Sequence, residues 1–295
     1  MFLPRKILEG KLRNMLAEDI GQGDITTALV IPAGSTAEAE VIARESGVIA
    51  GMEEAEILLE DLGLKVENLV SDGEKVKAKT ILMRISGDTR TILSVERTLL
   101  NVISRMTGIA TTTRRVIDKI RKARLKTKVA CTRKVAPGLL YFDKKAVLIG
   151  GGDTHRLHLD DMILIKDNHI AVVGSVEKAA KTVRKNASFS KKIEVEVTKV
   201  KDVLTAAKAG TDIIMLDNFS TEQIEKAVKL FRKEHLYGKV LLEASGGISV
   251  ENILAYASTG VDIVSLGEIT DSAKALDISL EVTRTHQNMK LKPFL

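Results

Sequence analysis

In the second half of the chain, short β-branched runs end on polar residues whose types could do chemistry together. KVACT (128–132) ends on Thr132 and runs into Arg133 and Lys134, and MILI (162–165) runs into Lys166, Asp167, Asn168 and His169. KIEVEV (192–197) carries Glu194 and Glu196 at alternate positions, hence on one side of a strand. DIIML (212–216) ends in Asp217 and Asn218, KVLLEA (239–244) in Ser245, Gly246 and Gly247, and DIVSL (262–266) in Gly267. Arg133, Lys134, His155, Arg156 and Lys166 are cationic or become so on protonation. Arginine holds carboxylates and phosphates through paired hydrogen bonds that lysine does not duplicate. Glu196 and Asp217 are hard oxygen donors, suited to magnesium or to sugar hydroxyls. Glycines at 246, 247 and 267 let backbone N–H groups approach a phosphate. The set suits one ligand carrying carboxylates and another carrying ribose phosphates.

Other residues signal less. The triplet Gly150-Gly151-Gly152 ahead of Asp153 reads equally as a turn or as a ligand cradle. His155 gains weight from its neighbour Arg156, whereas His169 reads equally as a ligand or as part of a helix cap begun by Asp167 and Asn168. The lone Cys131 excludes an internal disulfide and a multi-thiolate metal site, and reads as a small buried residue near a strand end. No spacing fits a zinc site.

The elements that must position these groups follow from periodicity. The six β-branched runs recur at intervals of roughly 20 to 35 residues with helical patterns between them, for example over 174–186 and 220–233. Strands nearly continuous in apolar residues and alternating with helices imply a parallel sheet covered on both faces. Six or seven such units favour a barrel over an open sheet, and the carboxyl ends of barrel strands share one mouth. The earlier part mixes an amphipathic helix (4–19, with Ile7, Leu8, Leu12, Met15 and Leu16 on one face), a strand (37–44), a helix (52–62) and strands at 64–70 and 76–85. The stretch SDGEKVKAKTILMRISG resembles the small sandwich of biotinyl and lipoyl carriers, but no lysine in it sits in their modification motif. The expected fold class is therefore α/β, a small N-terminal α/β sandwich domain over 1–108 and an incomplete TIM-like α/β barrel over 109–271. SLEVTR (279–284), within the tail 272–295, is expected to return to the first domain.

Composition narrows the function classes. Hydrophobic residues make up 44% and charged residues 28%, the balance of a folded globular chain. No apolar run approaches the roughly 20 residues of a membrane span, and the charged N-terminal stretch lacks a signal-peptide core. A cytoplasmic protein with no membrane partner is expected. The net charge of +6 would suit a polyanion, but 3% aromatic residues and no tryptophan argue against nucleic acid as that partner. A basic surface that steers small anions fits the same charge.

Ordered segments extend the pattern over nearly the whole chain. They are EDIGQGDIT (18–26), ERTLLNVISRMTGIAT (96–111), TRKVAPGL (132–139), KKAVLIGGGDTHRLHLDDMILIKDNHI (144–170), EVEV (194–197), MLDN (215–218), EASGGI (243–248) and GVDIVSLGEIT (260–270). Together they resemble the quinolinate phosphoribosyltransferase family, also called nicotinate-nucleotide pyrophosphorylase (carboxylating). The resemblance implies phosphoribosyl transfer from phosphoribosyl pyrophosphate to quinolinate with decarboxylation, and a homodimer or higher even oligomer whose active sites are shared between subunits. It implies that Arg97 reaches quinolinate from the neighbouring subunit, and that Thr132, Arg133, His155, Arg156 and Lys166 line the quinolinate pocket. It assigns phosphoribosyl pyrophosphate to Lys134, Glu196, Asp217, Ser245, Gly246, Gly247, Leu266, Gly267 and Glu268. Lys134, Glu196 and Asp217 become the catalytic residues, with Glu196 and Asp217 holding Mg2+ directly or at one remove and no organic cofactor required. Read from the residues alone, Arg97 merely opens a helix with its neighbours in ERT.

The family commonly reads TRKTTPGLR where this chain has Val135, Ala136 and Leu140, so hydroxyls and a charge are absent there. Two enzymatic alternatives remain, a nicotinate-type phosphoribosyltransferase and the molybdenum-transport-associated relative, which lacks the KDNH continuation intact here at 166–169. A third alternative, of another class, is a catalytically silent barrel that binds phosphoribosyl ligands. Intact Glu196 and Asp217 speak against it.

Overall fold

The computed structural model describes residues 3–286. The chain divides into two compact units, one comprising residues up to Thr111 together with those from Ala273 on, the other Thr112–Ser272. The division falls inside a 34-residue helix, Thr89–Lys122.

In the first unit, helix Arg5–Ile20 buries Leu8, Leu12 and Leu16 at helical spacing. Ile7, expected on the same face, is instead 54% exposed. Strand β1 (Thr36–Ala43) alternates buried and partly exposed positions, the period-2 pattern of a strand with one covered face. β2 (Gly47–Val48), helix Met52–Asp61, β3 (Lys65–Asn68), β4 (Lys75–Val76) and β5 (Ile81–Asp88) follow. The single strand expected over 76–85 is two, because the chain turns between them with Lys79 in the left-handed region at φ 70°.

The second unit holds β6 (Lys128–Cys131), β7 (Ile163–Ile165), β8 (Ile193–Val197), β9 (Ile213–Asp217), β10 (Leu241–Ser245) and β11 (Ile263–Leu266). They form one parallel sheet in the order β6-β11-β10-β9-β8-β7, six strands where a complete (β/α)8 barrel has eight. Asp153 adds an isolated parallel bridge to Ala130 on β6. Helices return the chain between strands and are stopped and started locally. Ser175 caps Val176–Asn186 through the Lys178 N–H, and Ser220 forms a capping box with Gln223 at the start of Thr221–Lys233.

β12 (Ile278–His286) pairs antiparallel with β1, giving the first unit a four-stranded sheet in the order β12-β1-β5-β3. The part of the expected returning tail beyond residue 286 lies outside the described residues. Gly108, within the long helix, lets this return pass. A Cβ built there would lie 2.1 Å from the Lys274 carbonyl oxygen. Glycine to alanine in a helix interior normally stabilises by about 1 kcal/mol, but here the added methyl meets backbone. Gly108→Ala is expected to destabilise by about 3 kcal/mol, seen as a melting temperature lower by roughly 6 °C or more. An unchanged or raised melting temperature in a thermal scan would contradict this account. Among the described residues no helix is long and apolar enough to cross a membrane.

Candidate active site

The carboxyl ends of the barrel strands open into a cavity of about 760 Å³. Thr132, Arg133, Lys134, His155, Arg156, Lys166, Glu196, Asp217, Ser245, Gly246, Gly247, Gly267 and Glu268 all line it. Leu266 does not, being fully buried and turned away. Arg97, expected to reach a neighbouring subunit's pocket, is an exposed residue of the other unit. Nor does Arg97 open a helix, since its helix begins two turns earlier at Thr89. Val135, Ala136 and Leu140, where the chain departs from the family pattern, are also absent from the lining.

One side of the mouth is cationic. Arg133 and Lys134 are exposed just beyond β6, and Lys134 is held by its N–H on Thr132 Oγ1 at 3.1 Å and by Thr270 Oγ1 on its carbonyl at 2.7 Å. Arg156 is only 8% exposed. Burial first, and then the nearby positive charge of Arg133, lowers its pKa from the ordinary arginine value. Lys166, at the end of β7, sets its ammonium 3.1 Å from Glu196 Oε2. His169 has no place in the cavity. Its Nδ1 accepts the Lys166 backbone N–H at 2.9 Å, which makes it a helix-capping group.

The other side is acidic and lined by glycine. Glu196 pairs in register with Met215, so Asp217 stands one inward step further along the neighbouring strand β9. Asp217 Oδ2 accepts from Asn218 Nδ2 at 2.7 Å, and the Asn218 N–H reaches the Ser245 carbonyl at 2.9 Å. A Cβ on Gly246 would lie 2.3 Å from Asn218 Oδ1, and φ there is +92°. Only glycine fits that turn. Glu268 Oε2 accepts the Val250 N–H at 2.9 Å, which ties the following loop to the mouth. Two inward carboxylates on adjacent strands, both oxygen donors in a cleft, fit a hard divalent cation such as magnesium.

The triplet at 150–152 is structural. Gly151 closes helix Leu140–Gly150 in the left-handed region, and a side chain on Gly152 would meet Thr113 and Val147. Cys131 is buried, its thiol within 3.4 Å of the Thr154 carbonyl and its pKa pushed up by burial. Three groups the sequence reading gave no role are part of the site's frame: Lys144, Glu194 and Glu243, all fully buried. Glu194 shares the inward parity of Glu196, a signal visible in KIEVEV. Lys144 and Glu243 carry no comparable one.

A parallel α/β barrel whose mouth joins a cationic half to an acidic, glycine-lined half is the build of an enzyme acting on small anions. Residues 24–107 match the family described as "Quinolinate phosphoribosyl transferase, N-terminal domain", and residues 109–281 match "Quinolinate phosphoribosyl transferase, C-terminal domain". The chain belongs to the quinolinate phosphoribosyl transferase family. It is 45% identical over 271 residues to a probable nicotinate-nucleotide pyrophosphorylase [carboxylating] of Methanothermobacter thermautotrophicus, covering 92% of this chain and 97% of that one. It is 41% identical over 276 residues to the nicotinate-nucleotide pyrophosphorylase [carboxylating] of Mycobacterium leprae, covering 92% and 95%. The solved nicotinate-nucleotide pyrophosphorylase of Francisella tularensis superposes with a TM-score of 0.87 at 41% identity, covering 96% of this chain and 98% of that chain.

Proposed function

We propose that the chain transfers the phosphoribosyl group of phosphoribosyl pyrophosphate to quinolinate and decarboxylates the adduct, giving nicotinate mononucleotide, pyrophosphate and carbon dioxide. One observation carries the assignment of roles. A single cavity sets Arg133, Arg156, His155 and Lys166 against Glu196, Asp217 and the glycines at 246, 247 and 267. In this reading the cationic half holds both quinolinate carboxylates and so fixes the ring nitrogen toward the sugar. Backbone N–H groups at Ser245, Gly246, Gly247 and Gly267 cradle phosphate, while Lys134 neutralises charge developing on the departing pyrophosphate. Glu196 and Asp217 would hold Mg2+ and the ribose hydroxyls, and stabilise positive charge on the sugar as the bond to pyrophosphate breaks. The cation, when bound, supplies electrostatic stabilisation of the phosphates. The ring nitrogen, once joined to the sugar, is cationic and stabilises the electron pair that departing carbon dioxide leaves on the adjacent ring carbon, which then takes a proton from solvent to give nicotinate mononucleotide. No covalent nucleophile and no organic cofactor takes part.

The same reading includes a homodimer, or a higher even oligomer, in which Arg97 completes the neighbour's quinolinate pocket, and a cytoplasmic setting. It separates cleanly from a nicotinate-type enzyme. Arg133, His155, Arg156 and Lys166 offer more charged donors than one carboxylate can engage, so nicotinate would leave donors unused that a second carboxylate fills. Carbon dioxide release and nucleotide formation are expected with quinolinate plus phosphoribosyl pyrophosphate. With nicotinate at equal concentration the rate should be lower by roughly 100-fold or more, the loss of one charge-assisted pair of hydrogen bonds or greater. Comparable turnover of nicotinate would overturn the assignment.

A further inference from the structure

Barrel interiors are ordinarily filled by apolar layers, yet beneath this cavity Glu194 on β8 and Glu243 on β10 are both fully buried. Both turn to one group. Oε2 of each lies 3.2 Å from Nε2 of His155. One N–H cannot point at two acceptors, so it is shared between them and neither contact reaches the geometry of a full hydrogen bond. Among the described residues the two carboxylates have no other hydrogen-bond donor. The layer is also thin. His155, Arg156 and Glu243 line both the mouth and a second cavity of about 370 Å³ at the strand starts.

The imidazole is held there deliberately. His155 sits in the left-handed region at φ +53°, which a non-glycine residue adopts only when its surroundings require it. The Asp153 carboxylate accepts its backbone N–H at 2.8 Å. The buried Lys144 ammonium donates to the Thr154 carbonyl, within reach of the Arg156 carbonyl at 3.4 Å, and so clamps the segment on either side. Burial of the ring opposes its charge, but the two carboxylates outweigh that and push the His155 pKa up to about 10. Burial, with the neighbouring Glu243, pushes the Glu194 carboxyl up, while the His155 hydrogen bond and Arg156 pull it down, and Arg156 stands in the field of both Glu194 and Arg133.

We propose that Glu194 and Glu243 are positioning residues that set carboxylate specificity: they form an anionic floor that fixes His155 as a cation with its second ring nitrogen, Nδ1, left as a charged donor to the substrate. A neutral imidazole bonded through Nε2–H would offer a lone pair at Nδ1 and repel a carboxylate. The floor removes that tautomer. The imidazolium that the two carboxylates hold offsets their charge toward the substrate. This inference rests on the cavity being the quinolinate site, and its first test does not.

Nitrogen-15 NMR of histidine-labelled, ligand-free full-length protein at pH 8 resolves five histidines, His155 being assigned with His155→Gln. Both ring nitrogens of His155 should carry protons in the wild type, and Glu243→Gln or Glu194→Gln should shift that ring toward the neutral form. A neutral His155 in the wild type, or a signal indifferent to both substitutions, overturns the floor. So does tight binding of Zn2+ or Mn2+ by the wild type that both variants lose, since a metal on Nε2 leaves no proton there. In steady-state assays the variants should raise the KM for quinolinate about tenfold or more, the loss of a charge-assisted hydrogen bond. The KM for phosphoribosyl pyrophosphate should stay within about twofold. Equal rises in both would reduce the glutamates to structural residues, and tighter quinolinate binding would show them to be merely repulsive. Either result overturns the proposal. A wild type that shows the expected NMR pattern yet neither binds nor turns over quinolinate would sink the proposed function and leave the floor standing.

Discussion

Asp217→Ala and Glu196→Ala should each lower turnover by roughly 100- to 1,000-fold, the cost of one preorganised electrostatic stabiliser, while quinolinate affinity changes by less than about threefold. The reason is where the two carboxylates stand. Both project inward from neighbouring strands into the mouth, beside the glycines that would cradle phosphate. If their work is on the sugar and its cation, it is felt as charge develops at the bond to pyrophosphate. The loss then appears in kcat and kcat/KM together rather than in binding of the other substrate.

Asp217 is the cleaner of the two, because its carboxylate accepts from its neighbour Asn218 and forms no ion pair among the described residues. Glu196 also pairs with Lys166 at 3.1 Å, and the lysine side chain is 47% exposed. A pair so open to water contributes little by itself, so freeing Lys166 should move quinolinate affinity only slightly. Quinolinate affinity by calorimetry and turnover at saturation distinguish the two cases. A collapse of quinolinate affinity with turnover intact would move both carboxylates into the quinolinate pocket.

What sequence could and could not reveal divides along physical lines. The six parallel strands were legible because strands buried on both faces read as continuous β-branched runs, such as KIEVEV and DIIML. The convergence of their ends followed from the architecture, which is why most of the cavity lining was foreseen residue by residue. Leu266 was expected there and is not, because its parity on β11 turns it to the helices while Ser265 faces in. The floor under the cavity was hidden for another reason. The direction of the His155 ring is set by a left-handed backbone angle at a non-glycine residue, by the local Asp153 turn and by Lys144 reaching from the preceding helix, a combination with no recognisable signature in the sequence. In the first unit, the turn that splits the expected strand over 76–85 uses Lys79 rather than glycine or proline, so the usual punctuation was missing.

Mixing inactive Arg97→Ala subunits with inactive Arg156→Ala subunits should restore activity to roughly a quarter of wild type. Arg97 is exposed on helix Thr89–Lys122, whose opposite face is anchored by buried Ile92, Val95 and Leu99. It belongs to one compact unit, while every residue lining the cavity belongs to the other. Close to it in the same unit, the short helix Ile25–Val30 leaves Ile25, Leu29 and Val30 between 69% and 78% exposed. That helix is tied to the long one, with Ser94 Oγ on Asp24 Oδ2 at 3.0 Å and Arg90 Nε on the Ile31 carbonyl at 2.9 Å. An exposed apolar patch beside an exposed arginine is the kind of surface a second subunit covers. If Arg97 completes the neighbour's pocket, Arg97→Ala homodimers lack it at both sites, and Arg156→Ala homodimers lack the buried arginine at both. A mixed dimer has one site that lacks both groups and one that lacks neither. Random exchange of equal amounts makes about half the dimers mixed, and half the sites in those are intact, provided the sites act independently. Activity measured after exchange, with dimer mixing verified by differently tagged subunits, decides the matter. No recovery would place Arg97 in its own subunit's chemistry or outside it altogether, and recovery without detectable mixed dimers would remove the shared site from the proposal.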